Sequence, residues 1–254
     1  MIDSINIGSI TINLYSLCIL FGVIIAYIVI MKEAKRKQID NDIMFNIIFY
    51  GILAGIIGAR LYYVIFNFEY YRYHLDEIIK IWHGGLAIHG GIIGGFIVVY
   101  LYSKKKNISL LKLTDTILPG VLIAQAFGRW GNFFNQEAYG ISVSKELLHN
   151  LLVPNFIIEG MHINGLYYLP TFYFESIFCI LGFILILILR RKIKFNGFST
   201  AFYLIWYGSL RFVIEYFRTD SLMLFNIKVA MIVSAIMILI GIIIIIRNRK
   251  NKEW

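Results

Sequence analysis

This 254-residue chain has two cysteines, three prolines and little charge, since Asp, Glu, Lys and Arg together make up 15% of it. Each shortage excludes something. Cys18 and Cys179 both lie in apolar runs, so neither a disulfide framework nor a Cys-rich metal site is expected. No His/Cys/Asp cluster has zinc-ligand spacing, and HExxH, P-loop and nucleotide-binding glycine patterns are missing, so no metal and no cofactor is expected. Ser209 in YGSLRF lacks a GxSxG setting, which argues against an intramembrane serine protease. No Pro- or Ser-rich linker and no evident internal repeat divides residues 1–254, so a single domain is the economical reading. A soluble domain of this length would carry far more charge.

What is present in excess is apolar: 59% of the residues are hydrophobic and the mean hydropathy is +0.74. Apolar runs cover residues 11–31, 43–66, 86–103, 116–136, 171–189, 200–217 and 229–246, against a need for about 20 residues per span. The expected fold is therefore an all-α integral membrane protein with seven transmembrane helices. Basic residues sort the connections into two sets. Lys32, Lys35, Arg36 and Lys37, then Lys104, Lys105, Lys106 and Lys112, then Arg190, Arg191, Lys192 and Lys194, and finally Arg247, Arg249, Lys250 and Lys252 follow alternate runs. Cytoplasmic loops carry such excesses, so the N-terminus is expected outside and the C-terminus in the cytoplasm.

The net charge of +9 sits beside the spans, where it sets topology and meets anionic headgroups, so no nucleic acid partner is expected. The first run has no basic region before it and no small-residue cleavage site, unlike a removable signal peptide. Residues 138–170, between the fourth and fifth runs, hold Pro154, Pro170 and a hairpin signal at Asn164-Gly165, which predicts a small extracytoplasmic cap. The aromatic segment 67–85 has an amphipathic pattern suited to the outer interface.

Polar residues inside the apolar runs are the exception that carries function. RWGNFFNQEAYG, residues 129–140, sets an arginine, two asparagines and a glutamate in a bilayer-length stretch. An arginine at such depth costs roughly 2.5–3.5 kcal/mol on insertion scales, so something must offset it. Topology puts Arg129 about 10 Å below the outer boundary, at 1.5 Å per residue. Arg211, Glu215 one turn beyond it, Arg60, His89 and Tyr15 fall in the same layer. Three arginines among few carboxylates predict a positive surplus that holds an anion, with Asn132 one turn from Arg129 as a further donor.

HGGLAIHGGIIGG, residues 83–95, repeats glycine at four-residue spacing. Gly91, Gly94 and Gly95 are expected to let two helices approach closely. His89 brings a titratable group to the polar layer, although a purely structural histidine fits the same pattern. The residues alone leave two functions open, an enzyme acting on an anionic ligand and a transporter that uses the same arginines.

Four segments narrow this choice. GRWGNFFNQEAYG at 128–140, HGGLAIHGG at 83–91, GARLYYVIFN at 58–67 and YGSLRFVIEYFR at 207–218 occur in the order found in bacterial prolipoprotein diacylglyceryl transferases, and the chain resembles that family over nearly its whole length. Leu169 and Phe174 stand where the family commonly has histidine and tyrosine, and Ile141 replaces an arginine or glycine. The resemblance implies an enzyme of the bacterial cytoplasmic membrane, active toward the outer face. It would move a diacylglyceryl group from phosphatidylglycerol to the lipobox cysteine of a prolipoprotein signal peptide. It implies catalytic roles for His89, Arg129 and Arg211, with Arg129, Arg211, Asn132, Tyr15 and Tyr207 holding the lipid. Glu137, Gly140 and Glu215 would support them. On this reading the arginines stabilise the departing phosphate, while His89 or the arginines' field deprotonates the thiol.

Overall fold

The computed structural model describes residues 4–7 and 10–248; the expected cytoplasmic residues Arg249, Lys250 and Lys252 lie outside it. A hairpin of β1 (Ser4–Ile7) and β2 (Ile10–Asn13) leads into α1 (Leu14–Arg36), followed by α2 (Asn41–Phe66), α3 (Phe68–Tyr71), α4 (Ile88–Lys105) and α5 (Leu110–Phe134). Next come β3 (Ser142–Val143), α6 (Lys145–Asn150), α7 (Asn155–Gly160), β4 (His162–Ile163) and β5 (Leu166–Tyr168). The chain continues through α8 (Thr171–Lys192), α9 (Phe198–Phe217), β6 (Met223–Leu224), β7 (Ile227–Lys228) and α10 (Val229–Asn248).

The seven apolar runs each fall on one long helix among the described residues, with ends shifted by a few positions. Only five of these helices, α1, α2, α5, α8 and α10, are both long and apolar enough to cross a membrane. α4 has 18 residues and ends on Lys104 and Lys105, so its apolar part falls short of a hydrocarbon core about 30 Å thick. α9 is interrupted by Arg211 and Glu215. The first run also starts later than expected, because residues 11–13 belong to β2 and the Asn13 side chain accepts the Tyr15 N–H at 2.8 Å, capping α1.

Burial follows the logic of a lipid solvent. On α10 the buried residues are Ser234 and Gly241, while Ile236, Leu239, Ile243 and Ile246 face outward. Small residues bring helices together, and isoleucine meets hydrocarbon at no cost. This is an all-α membrane protein.

The chain divides into two compact units, Met1–Val29 with Asp115–Trp254, and Ile30–Thr114. In the second unit α2 packs on α4 through a glycine seam. A Cβ on Gly90 would fall on the Gly58 carbonyl oxygen, and one on Gly94 on that of Ala54. Gly91 and Gly95, expected to share this role, leave ordinary van der Waals room, with the nearest backbone oxygens 3.5 and 3.7 Å from their Cβ positions. A helix turns 100° per residue, so each sits about a quarter-turn off the contact line. Arg60 lies in this unit too. Its guanidinium donates to the carbonyls of Ile78 (2.8 Å), Gly84 (2.7 Å), Gly85 (3.0 Å) and Glu77 (2.6 Å), which folds the 67–85 segment onto α2. Gly84 and Gly85, at φ of 84° and 71°, turn these carbonyls inward as a side-chain-bearing residue rarely does.

In the first unit α9 is pinned at both ends by charges from elsewhere. The buried Asp115 carboxylate, on α5, accepts the N–H groups of Gly197 (2.8 Å) and Thr200 (2.8 Å) and the Thr200 hydroxyl (2.7 Å). At the other end Lys228 Nζ donates to the carbonyls of Glu215 (2.7 Å) and Arg218 (2.6 Å). An anion at the N-terminus and a cation at the C-terminus both oppose the helix dipole and satisfy orphan backbone groups. Replacing Asp115 by Ala is expected to lower stability by about 1–2 kcal/mol, with Asp115→Asn in between, as read by thermal unfolding in detergent.

Residues 138–170 form a compact element on the ends of α5 and α8. Its sheet has the order β3-β5-β4, and the predicted Asn164-Gly165 turn joins β4 to β5 with φ of 49° and 81°, the left-handed values a two-residue hairpin requires. Leu148, Val153, Ile157, Ile158 and Met161 pack beneath it on Phe133 and Phe172.

Candidate active site

Three helices of the first unit supply one polar cluster: α5 contributes Arg129, α8 contributes Glu175, and α9 contributes Tyr207, Arg211 and Glu215. Packing below it sets their register. Leu122, Ile123 and Ala126 of α5 pack with Cys179 of α8 and Tyr203 of α9. One turn further along α5, Trp130 Nε1 donates to Ser176 Oγ (3.1 Å), which in turn donates to the Ala126 carbonyl (2.9 Å). This chain locks α8 against α5 and leaves Glu175, the preceding residue, aimed at Arg129.

Glu175 is 1% exposed and touches both arginines. Its Oε1 lies 2.8 Å from Arg129 Nη2, and its Oε2 lies 3.6 Å from Arg211 Nη1. Arg211 Nη2 also lies 2.6 Å from Oε2 of the buried Glu215, one turn along α9. The Tyr207 hydroxyl sits between two of these groups, accepting from Arg129 Nη2 at 3.1 Å and donating to Glu175 Oε1 at 3.5 Å. One donor is left over: Arg211 Nη1 is buried and finds no hydrogen-bond acceptor among the described residues. An unsatisfied buried donor costs about 1–3 kcal/mol, so an added acceptor there is strongly favoured.

The expected positive surplus is corrected by this geometry. Two guanidinium groups face two buried carboxylates, so their formal charges cancel, and Arg60 spends its donors on backbone carbonyls in the other unit. Few carboxylates are present in the sequence, but two of them are spent here, because an unpaired arginine at low dielectric is too costly to keep.

Other expected site residues lie around the cluster in the same unit. Asn132 Nδ2 donates to Glu137 Oε1 (2.9 Å), pairing two residues of the RWGNFFNQEAYG motif. Tyr15 covers Gly131, where a Cβ would lie 2.6 Å from Tyr15 Cδ2, and it is within electrostatic reach of Glu137 and Arg129. Gly140 donates its N–H to the Leu169 carbonyl (2.9 Å) and bridges to Arg218; a Cβ there would press on Leu169 and Thr171. The missing side chain lets residues 138–170 pack closely on the start of α8. Arg218 is occupied by a two-bond fork to Asp220 (3.0 and 2.8 Å). Partial burial raises the Asp220 carboxyl, but the fork outweighs it and holds the group below the usual carboxylate range. His89 belongs to the other unit, in the first turn of α4, exposed, with its ring centre 5.9 Å from that of Tyr62.

Glu175, Asp115 and Lys228 were not among the expected site residues. Glu175 carried a sequence signal, a single acid within the 171–189 run, of the same kind that marked Arg129, whereas Asp115 stands just before the 116–136 run. Lys228 gave none, since a lysine beside a span reads as an ordinary flank.

A family model described as Prolipoprotein diacylglyceryl transferase matches residues 3–247. Among similar curated proteins are those of Streptococcus pyogenes serotype M5 (strain Manfredo), serotype M49 (strain NZ131) and serotype M1. Each is named phosphatidylglycerol–prolipoprotein diacylglyceryl transferase and is 49% identical over 247 residues, covering 96% of this chain and 94% of the relative. Similarity at this level, running through all three helices that build the arginine and glutamate cluster, makes the chain a member of the prolipoprotein diacylglyceryl transferase family.

Proposed function

We propose that this chain transfers the diacylglyceryl group of phosphatidylglycerol to the thiol of the lipobox cysteine in a prolipoprotein. A sulfur–carbon bond forms at the glyceryl carbon as the carbon–oxygen bond to phosphate breaks. The electron pair leaves on the phosphate oxygen, releasing glycerol phosphate, and the thiol proton passes to a base. The observation that supports this reading most directly is the buried Arg211 donor without an acceptor, set beside Arg129. Guanidinium forks match phosphate oxygens, and donors aimed at a departing phosphate stabilise charge where it develops.

Within this reading Arg129 and Arg211 hold the phosphate. Asn132, Tyr15 and Tyr207 orient the glycerol headgroup, and Glu137, Gly140 and Glu215 keep these groups in place. His89 is assigned the thiol proton on its chemistry, since imidazole takes a proton near neutral pH and a free thiol is only a few per cent ionised there. The topology proposed with it has seven spans in the bacterial cytoplasmic membrane, the N-terminus outside and residues 138–170 on the outer face. Phosphatidylglycerol then enters sideways with its acyl chains still in hydrocarbon, and the exported signal peptide presents its cysteine at the same surface. The two acyl chains anchor the product, at roughly 0.8 kcal/mol per buried methylene.

Incubating the purified protein with phosphatidylglycerol vesicles and a lipobox peptide tests the reaction. A diacylglyceryl mass added to the peptide cysteine is expected, with glycerol phosphate released in equal amount; intact protein that leaves the peptide unmodified refutes the proposal. The role of His89 has its own readout. His89→Asn is expected to lower the rate by about a hundredfold and to remove the acidic limb of the pH–rate profile. A variant that keeps both the rate and that limb shows that another group takes the proton.

A further inference from the structure

We propose that Glu175 is a resident counter-ion that occupies the phosphate's place between Arg129 and Arg211, is displaced by the lipid phosphate, and thereby shifts the arginines' binding energy from substrate to leaving group. This rests on the lipid-transfer reading above and adds a positioning residue to it. The geometry is that of a stand-in. One buried carboxylate turns one oxygen to each of two arginines on two other helices, as two oxygens of a phosphate would.

The hold is uneven, which gives displacement a starting point. Arg129 is engaged at 2.8 Å, whereas Arg211 Nη1 stands 3.6 Å away without a hydrogen bond, so an incoming phosphate oxygen meets an open donor there first. Both sides keep partners once the pair opens. Arg211 retains Glu215 at 2.6 Å, and the Tyr207 hydroxyl, already 3.5 Å from Glu175 Oε1, stays beside the released carboxylate. Each arginine keeps an anionic partner throughout, whereas the buried Glu175 carboxylate is left with a neutral hydroxyl, so the cost of opening the pair falls on Glu175 and is set against lipid binding.

The consequence for catalysis follows from charge. A phosphodiester bears one negative charge, as a carboxylate does, so the lipid and Glu175 compete for the arginines on nearly equal terms. The leaving monoester gains a second charge as the carbon–oxygen bond breaks, and then it outcompetes the carboxylate. Interactions that strengthen only as the transition state is approached raise kcat, whereas those already present in the ground state lower KM alone. Glu175 therefore weakens lipid binding and leaves the arginines' strongest contacts to the departing phosphate.

The test is the kinetics of Glu175→Gln, which keeps the shape and removes the charge, with phosphatidylglycerol as substrate and glycerol phosphate as inhibitor. The expected result is a KM for phosphatidylglycerol lower by roughly tenfold, tighter inhibition by glycerol phosphate and a lower kcat. A merely structural carboxylate predicts the opposite sign, a loosened site with raised KM. If Glu175→Gln does not fold, Glu175→Asp, whose shorter side chain cannot reach both arginines, must shift KM in the same downward direction. Unchanged or raised KM in whichever variant folds overturns the counter-ion role while the wild type still transfers. Failure of the wild type to modify the peptide counts instead against the transfer reading itself.

Discussion

Arg211→Ala lowers the rate of diacylglyceryl transfer by about a hundredfold or more, the loss expected when one preorganised donor to a developing anion is removed. The expectation comes from where its donors point. Nη2 forms an ion pair with the Glu215 carboxylate at 2.6 Å, and Nη1 is left with no acceptor among the described residues. A donor so fixed costs no reorganisation when the phosphate charge grows. Truncation also strands Glu215, which is 2% exposed, and a buried carboxylate without its partner can cost roughly 3–5 kcal/mol of stability. Activity must therefore be compared at equal folded protein, using thermal unfolding as the control. Arg211→Lys separates the two effects, because lysine keeps the charge beside Glu215 but lacks the planar fork. It is expected to fold and to recover only part of the rate. A folded Arg211→Ala protein with a rate within about threefold of wild type would falsify the assignment of this residue to the leaving group.

Gly90→Ala destabilises the α2 and α4 pair by about 3 kcal/mol, although alanine is intrinsically the better helix former by roughly 1 kcal/mol. The added methyl would fall on the Gly58 carbonyl oxygen and lie 2.5 Å from Tyr62 Cβ. Relief requires moving backbone, because the obstructing oxygen belongs to the facing helix and no rotamer change withdraws it. Gly95→Ala is the matched control, the same substitution on the same helix, with its nearest neighbour at 3.7 Å. It is expected to leave stability unchanged or slightly higher. The comparison is read from thermal unfolding of the purified protein in one detergent, and equal transitions for the two variants would sink the assignment of the seam to Gly90 and Gly94.

These two residues also mark how far a linear reading reaches. Periodicity placed the close approach of two helices in HGGIIGG, because glycine at four-residue spacing puts small residues on one face. Which of the two interleaved pairs meets α2 depends on how α4 is rotated, and rotation is settled only by the partner's surface. Arg60 shows the same limit. In the sequence it looked like Arg129 and Arg211, a cation at similar depth in an apolar run, yet four backbone carbonyls from residues 77–85 take its donors. Nothing local distinguishes an arginine that closes a loop from one that faces a substrate.

By itself, the sequence determined the class of protein, the positions of the long helices, the Asn164-Gly165 hairpin, and through its motifs the family. These follow from properties that act along the chain: hydropathy over a bilayer-length window, turn chemistry at adjacent residues, and motif order. Only the tertiary structure decided the electrical state of the site. Glu175 lies 46 residues beyond Arg129 and 36 before Arg211, and its carboxylate reaches both because Trp130, Ser176 and the caps at Asp115 and Lys228 hold three helices in one register. Charge compensation acts through space over a few ångströms, so a chain that reads as an excess of buried arginine folds into a neutral cluster in which the buried Arg211 Nη1 has no acceptor among the described residues.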